Sequence, residues 1–213
     1  YAVFDWDMTS AFLDCEEQML RTQIWNLRFK LGKEQFRALL KDEINGVTAL
    51  APEFKGIALK DIHEDLATAY AWLHDRSDGF SGKADLEPVR ATPQFQDFAA
   101  KLFFLYDAYC GTPGIGADYG YTWILFLFAG HTVEEVRTLA RDSIEAGLGD
   151  ALRKASWKSP AGFASKAGPV EVSFRTGLRD QPEMQELMAS LRAAGIEVFI
   201  VTASLADVVT VFA

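Results

Sequence analysis

The 213-residue sequence contains only two cysteines and three histidines. The cysteines, Cys15 and Cys110, lack the close spacing of a metal-binding pair, so we expect two free thiols. A disulfide between them is the alternative if the protein is exported. The histidines share no spacing either, and we expect them to be structural or surface residues. Neither residue type therefore indicates a metal site.

Runs of basic residues and long apolar runs are also missing. The formal net charge is -9, from 30 acidic and 21 basic residues, which argues against nucleic acid or an anionic membrane surface as a partner. The longest strongly apolar stretch, YTWILFLFAG at 121–130, is about half as long as a membrane-spanning helix. We therefore predict a buried helix there and no membrane span. We expect no signal peptide, because the chain begins in a predicted strand, and both a cytoplasmic and an exported location are compatible with these features.

Two short apolar segments, residues 1–4 and 196–201, have the composition of strands that are buried on both faces, as in a parallel sheet. The sequence between them is dominated by helical patterns. This arrangement predicts an α/β fold with a Rossmann-like parallel-sheet core, residues 1–13 and 169–213. A large, mostly helical cap domain, residues 14–168, is inserted after the first strand.

Helix boundaries are marked by several local signals. Thr92 followed by Pro93 has the form of an N-cap with proline in the first helical position. Thr132 and Glu135 have the spacing of a capping box. Gly195 lies where the helix before the second apolar segment should stop. These signals predict helices that begin after Thr92 and Thr132 and one that ends at Gly195.

Polar residues follow both apolar segments at the point where each predicted strand ends. Asp5 and Asp7 come directly after the first segment, and Thr202 comes directly after the second. The carboxyl ends of parallel strands meet at one edge of a sheet, where ligands bind in open α/β folds. We therefore expect Phe4 and Val201 on neighbouring strands, with the polar residues close to each other beyond them.

The stretch VFDWDMTS, residues 3–10, resembles the first motif of the haloacid dehalogenase-like hydrolases, in which two aspartates and a threonine follow a hydrophobic strand. IEVFIVTAS, residues 196–204, resembles the second motif of that superfamily, and PEMQELMASLRAAG resembles the helix that precedes it. DWDMTSAFLDCEE, residues 5–17, is most similar to the phosphoserine and phosphorylcholine phosphatase branch. The resemblance covers the two core pieces and extends only loosely to the cap.

The resemblance implies a magnesium-dependent phosphatase. Asp5 would attack phosphorus and form an aspartyl-phosphate, which divides one difficult hydrolysis into two displacements. The side chain of Asp7 would protonate the leaving oxygen and later take a proton from water. Mg²⁺ would be held by the Asp5 carboxylate and the Asp7 main-chain carbonyl. A dehalogenase would not need an acid at position 7, because a halide leaves without a proton.

A phosphate-binding loop is implied by the same motifs. Thr202 and the main-chain amide of Ala203, at the start of a helix, would hold phosphate oxygens. Met8 and Thr9 complete the loop after the first strand, and we expect Thr9 to bond back to that loop and fix its shape rather than to hold phosphate. As a structural alternative, Thr202 only caps the following helix.

The acidic residues Asp14, Glu16 and Glu17 follow the first motif. They would place negative charge near the pocket, which favours a small phosphate ester that carries an amine or quaternary ammonium group. Phosphocholine, phosphoethanolamine and phosphoserine are the predicted substrates, in that order. The alternative is that Asp14 caps the helix while Glu16 and Glu17 complement its dipole. In that case the acidic residues do not select the substrate, and the hydrolase could act on another small substrate.

The sequence departs from the family pattern at two places. Met8 occupies a position that is commonly glycine or asparagine in the family. The lysine of the third motif and the acidic residues of the fourth should follow the second motif, and residues 205–213 contain neither. We expect these motifs in a longer chain. Without them, the competing hypothesis is a non-catalytic or impaired binding protein on the same fold.

Overall fold

The computed structural model describes residues 1–212 and has a mixed α/β fold. The described α-helices are α1 (Cys15–Trp25), α2 (Lys33–Ala38), α3 (Leu59–Arg76), α4 (Glu87–Arg90), α5 (Pro93–Gly111), α6 (Ala117–Leu125), α7 (Val133–Gly149), α8 (Pro182–Ala193) and α9 (Ala206–Phe212). The described strands are β1 (Ala2–Phe4), β2 (Ala11–Phe12), β3 (Arg153–Lys158), β4 (Glu171–Thr176), β5 (Arg179–Asp180) and β6 (Val198–Ile200). They form three two-stranded sheets, β1–β6, β2–β5 and β3–β4.

The chain divides into two compact units. The first, which we call the terminal unit, comprises residues 1–22, 132–155 and 174 onward. The second, the helical unit, comprises Gln23–His131 and Ser156–Ser173. The terminal unit thus includes most of α1 and all of α7, which the sequence analysis assigned to the inserted domain. Helix α7 belongs to the terminal unit because it packs against α9.

Strands β1 and β6 of the terminal unit form a parallel pair. Ala2 is paired with Val198 and Phe4 with Ile200. The pairing continues one residue further, since the Val201 amide donates to the Phe4 carbonyl at 2.9 Å. The prediction that the two apolar segments are neighbouring strands is therefore confirmed, and the residues after them lie at the same edge of the sheet.

The prediction that these strands are buried on both faces is wrong. Val3 is 52% exposed and Phe199 is 49% exposed, whereas Ala2, Phe4, Val198 and Ile200 are half-buried. Successive side chains of a strand point to opposite faces, so the exposed residues belong to one face of the pair.

The helical unit has an aromatic core. Phe29, Phe36, Tyr70 and Phe98 are all buried, and Phe36 stacks on Tyr70 with ring centroids 3.8 Å apart. The Tyr70 hydroxyl donates to the Leu31 carbonyl at 2.7 Å, so the one polar atom of this core is satisfied. Packing of α3 on α5 and of α5 on α6 builds the unit around these rings.

The predicted helix boundaries are confirmed where a capping signal marked them. The Thr92 hydroxyl accepts the Phe95 amide at the start of α5, and Thr132 and Glu135 form the capping box of α7. Gly195 adopts a left-handed conformation (φ 76°) directly after α8. Glycine takes this conformation without the steric cost of a β-carbon, which explains why the helix ends there.

Other features were missed or only partly predicted. Strands β3 and β4 were not predicted, and residues 159–170 connect them. The apolar stretch 121–130 divides between α6 and a 3₁₀ turn at Phe126–Phe128, and it leaves Phe126 exposed. Both cysteines are free thiols. Among the described helices, none combines the length and the apolar composition needed to cross a membrane.

Candidate functional site

The loop after β1 is a compact turn built on the Trp6 carbonyl. This oxygen accepts the main-chain amides of Thr9, Ser10 and Ala11 at 3.2, 2.8 and 2.9 Å. The Ser10 hydroxyl donates to the Asp5 carbonyl at 2.6 Å. These bonds fold residues 5–11 back on themselves, which fixes where Asp5 and Asp7 lie at the end of the strand. Thr9 takes part in this turn through its main-chain amide.

Asp5 is exposed at the carboxyl end of β1. Its Oδ1 accepts the Trp6 main-chain amide at 2.7 Å. Its Oδ2 has no hydrogen-bond partner in the described part of the chain. One carboxylate oxygen is therefore held in place while the other faces solvent, which is a suitable arrangement for a nucleophile that must approach a substrate.

Asp7 connects three segments of the terminal unit. Its Oδ1 accepts the Cys15 main-chain amide at 2.8 Å, and its Oδ2 accepts the Ser204 hydroxyl at 2.5 Å. Cys15 is the first residue of α1, and Ser204 lies between β6 and α9. Asp7 thus joins the loop after β1 to the loop after β6. Ser204 belongs to the segment that resembles the second motif, and its bond to Asp7 was not predicted.

Thr202 lies at the same sheet edge as Asp5, since it follows Val201. Its hydroxyl accepts the Ser204 amide at 3.2 Å, so it shapes the turn that carries Ser204. The prediction that Ala203 stands at a helix start is wrong, because α9 begins at Ala206. The residues between them form a turn, and the Ala203 amide precedes the first helical residue.

The three acidic residues of the first helix have different surroundings. Asp14 accepts the Glu17 amide at 2.8 Å and therefore caps α1, as its structural alternative predicted. Glu17 forms an ion pair with Arg21, with 3.6 Å between Oε2 and NH1. Glu16 is buried, and its carboxyl group contacts the Leu205 amide and the Ser204 side chain.

Burial and neighbouring carboxylates raise the pKa of Glu16 and of Asp14. Burial, followed by the neighbouring Asp14 and Asp7, raises the pKa of Glu16 to about 7. Burial and the Asp7 charge also raise the pKa of Asp14 above its usual range. Both carboxyl groups are therefore harder to ionise than exposed ones, and Glu16 is partly protonated near pH 7.

Magnesium requires oxygen ligands in near-octahedral geometry, usually including carboxylates and water. Within residues 1–212 no three histidine, cysteine, aspartate or glutamate side chains are grouped so that they could hold a metal ion. Both carboxylate oxygens of Asp7 are already bonded, and the Asp5 carboxylate has one oxygen without a partner. The described residues therefore offer Asp5 and the Asp7 carbonyl as ligands and do not complete a site.

Comparisons with known proteins bear on the fold. No protein-family model matches the sequence, and a search of curated proteins gives no match. The chain is similar to a crystal structure described as that of a conserved functionally unknown protein from Anaerococcus prevotii DSM 20548, with 32% sequence identity and a TM-score of 0.87. The similarity covers 100% of this chain and 56% of that one, so this chain spans little more than half of that protein's length.

Proposed function

We propose that this chain carries the nucleophile and the proton donor of a small-molecule phosphate monoester hydrolase of the haloacid dehalogenase-like type. The observation that carries the proposal is the parallel pairing of β1 with β6. This pairing places the two motifs of the resemblance at one sheet edge. The hydrogen bond between Asp7 and Ser204 links the two motif loops directly.

The proposed chemistry has two steps. An Asp5 carboxylate oxygen forms a bond to phosphorus as the bond from phosphorus to the leaving oxygen breaks, and Asp7 gives that oxygen a proton. Water then attacks the aspartyl-phosphate, Asp7 takes its proton, and inorganic phosphate leaves as the bond from Asp5 to phosphorus breaks. The bonds from Cys15 and Ser204 orient the Asp7 side chain for both transfers. Thr202 and the Ala203 amide would hold phosphate oxygens at the same edge, next to Met8 and Thr9.

Magnesium belongs to the proposal through the same resemblance. The Asp5 carboxylate and the Asp7 main-chain carbonyl would hold it. When bound, it would reduce the repulsion between the Asp5 carboxylate and a phosphate group.

The proposed substrate class is a small phosphate ester with a positively charged amine, such as phosphocholine, phosphoethanolamine or phosphoserine. Asp14 supports this class because its carboxyl group lies near Asp7. Support from Glu16 is weaker, since its pKa of about 7 leaves it partly protonated near neutral pH. Support from Glu17 is weaker, since Arg21 already lies opposite its carboxylate. A neutral sugar phosphate would gain nothing from these charges.

A second candidate is a protein that binds phosphate esters without hydrolysing them. It is favoured by the lack of a third acidic metal ligand among residues 1–212. The position of Met8 also favours it, because a bulky exposed side chain stands where the resemblance leads us to expect glycine or asparagine.

The test is turnover of a panel of phosphate esters by the wild type, Asp5→Asn and the control Asp180→Asn, each with magnesium present. Asp180 is an exposed aspartate of β5 in the same unit. We expect Asp5→Asn to lower kcat at least about 1,000-fold, as loss of a nucleophile does, and Asp180→Asn to leave it unchanged. Cationic esters should have higher kcat/KM than glucose 6-phosphate.

The outcomes separate the two candidates. Tight binding of the esters with no release of phosphate by the wild type would favour the binding protein. Substantial activity in Asp5→Asn would exclude Asp5 as the nucleophile. Equal or better turnover of glucose 6-phosphate would remove the role assigned to the acidic residues while leaving the hydrolase proposal intact.

A further inference from the structure

A pocket of about 360 Å³ lies within the terminal unit, beside α8 and the loop after β1. We call it the α8 pocket. Its apolar walls are formed by Trp6, Ala11, Met184, Met188, Ile200 and Phe212. Its polar lining consists of Ser10, Asp180, Gln185 and Arg192. Pockets of this size hold small molecules, and a few polar groups on an otherwise apolar lining orient them.

One wall of the α8 pocket is a stripe of side chains along α8. Met184, Met188 and Arg192 are four residues apart, so they follow one another on one face of the helix. At about 1.5 Å per residue, the stripe is about 12 Å long. Methionine side chains are flexible and adapt to the shape of an apolar ligand. The stripe is therefore an elongated apolar surface that ends at a cation.

The cation at the end of the stripe is free to bind a ligand. Arg192 is exposed, and its guanidinium group has neither a hydrogen bond nor an ion pair within residues 1–212. A guanidinium group can bind a carboxylate through two parallel hydrogen bonds. The aliphatic stem of Arg192 continues the apolar surface of Met188, so an apolar chain on the methionines leads directly to the charged group.

The other charged residue of the lining does not neutralise Arg192. Asp180 precedes α8, whereas Arg192 belongs to the last turn of that helix. Pro182, the first residue of α8, and Arg192 are about 15 Å apart along the helix axis. No ion pair joins Asp180 to Arg192 in the described part of the chain. A ligand with a negative group at both ends would therefore bring its second charge towards Asp180.

We propose that the α8 pocket binds an unbranched monocarboxylate of medium chain length, whose carboxylate pairs with Arg192 and whose alkyl chain lies along Met188 and Met184. The other apolar walls cover the remaining sides of the chain. The residues with proposed catalytic roles, Asp5 and Asp7, are not part of this lining. The site therefore does not depend on the proposed phosphatase activity.

The experiment measures binding of octanoate to the whole chain by isothermal titration calorimetry, with butanoate, octylamine and octanedioate as comparisons. We expect octanoate to bind at least about tenfold more tightly than butanoate, because each buried methylene group strengthens binding about fourfold. Octylamine should bind at least about tenfold more weakly than octanoate, since its ammonium group cannot pair with a guanidinium group. Octanedioate should also bind more weakly, because its second carboxylate loses water among apolar side chains.

Two variants locate the carboxylate. Arg192→Gln should weaken octanoate binding at least about tenfold, since it removes the charge and keeps much of the aliphatic stem. The matched control is Arg175→Gln, at an exposed arginine of β4 in the same unit that is not part of the lining. It should leave the Kd unchanged.

A third variant tests the apolar wall. Met184 is half-buried, so the fold should tolerate Met184→Ala, and octanoate binding should weaken about three- to tenfold while butanoate binding changes less. The proposal is overturned if octanoate does not bind at concentrations up to about 10 mM. It is also overturned if octylamine binds as tightly as octanoate, or if Arg192→Gln and Met184→Ala both bind octanoate as the wild type does.

Discussion

Apolar residues differ in burial between the two units. In the helical unit, Phe29, Phe36 and Phe98 are completely or almost completely buried around Tyr70. In the terminal unit, the equally apolar Phe199 is half exposed. The sequence around Phe199 is apolar, whereas charged residues flank Phe29 and Phe36, and in both places the periodicity predicts only helix or strand. Burial depends in addition on which other element covers the surface, and this information lies elsewhere in the chain.

Buried carboxylates in the two units differ in the charge of their neighbours. Asp97 in the helical unit faces the buried Lys101, which supplies a compensating charge. Glu16 in the terminal unit has Asp14 and Asp7 as its charged neighbours, and its pKa rises to about 7. A carboxylate near a cation is stabilised in its charged form, whereas one near other carboxylates is destabilised. Glu16 should therefore make the stability of the terminal unit depend on pH.

The largest expected effect is the loss of a core aromatic ring. Phe98→Ala should lower the free energy of unfolding by about 3–5 kcal/mol, because it leaves a cavity among Phe29, Phe36 and Tyr70. Phe199→Ala should cost less than about 1 kcal/mol, since half of that ring is already in water. Urea denaturation followed by circular dichroism and by tryptophan fluorescence measures both variants.

The same experiment can show whether the two units differ in the burial of their aromatic residues. If Phe199→Ala costs as much as Phe98→Ala, the exposed face of β1 and β6 is covered in solution, and the two units do not differ in the way described. Two probes are needed because a chain with two units can unfold in more than one step.

Glu16 should have an effect of intermediate size, on how the free energy of unfolding depends on pH. Its pKa is about 7 in the folded protein, above the ordinary value of 4.5, so the folded state binds a proton more tightly than the unfolded state. Its contribution to stability is therefore most favourable below about pH 4.5 and declines as the pH rises to about 7, by a total on the order of 3 kcal/mol. Above that range the contribution stays constant.

Glu16→Gln isolates this contribution. Glutamine does not titrate, so the difference in unfolding free energy between wild type and variant should change between pH 5 and pH 8, in favour of the variant at high pH. Taking the difference cancels other groups, such as His63, whose pKa burial lowers to about 4. A difference that is flat across this range would show that Glu16 does not titrate as described.

How far the fold could be predicted depends on whether the signal was local. Thr92, Thr132 and Gly195 act on the backbone within a few residues, and each marks a helix end where expected. The parallel neighbours β1 and β6 were predicted because both have the composition of strands and polar residues follow each of them. Strands β3 and β4 were missed although KASWK and EVSF alternate polar and apolar residues, which is the pattern of a half-buried strand. The pairing of these two strands with each other is a long-range contact that the local sequence does not specify.

In the candidate site, too, local features were predicted and long-range contacts were not. Asp5, Asp7 and Thr202 were placed at one sheet edge from the order of motifs along the chain. Contacts that join distant residues were not predicted, as with the bond from Ser204 to Asp7 and the position of Glu16 beside Leu205. Nothing in the local sequence distinguishes Glu16 from Glu17, although one is buried and the other partly exposed. Which of the two glutamates is buried depends on which face of α1 packs against the rest of the unit. The local sequence does not reveal that face.

The smallest expected effect concerns Met8, in the loop that carries Asp5 and Asp7. Met8 has a φ of 59°, in the left-handed region that disfavours residues with a β-carbon, and its side chain is 61% exposed. Met8→Gly should therefore raise the free energy of unfolding by about 0.5–1 kcal/mol, because relief of strain exceeds the small loss of buried surface and the added freedom of the unfolded chain. Met8→Ala is the matched control, since it shortens the side chain but keeps the β-carbon, and it should give no gain. Equal stability of the glycine and alanine variants in thermal denaturation would show that the side chain, and not the backbone conformation, determines the effect.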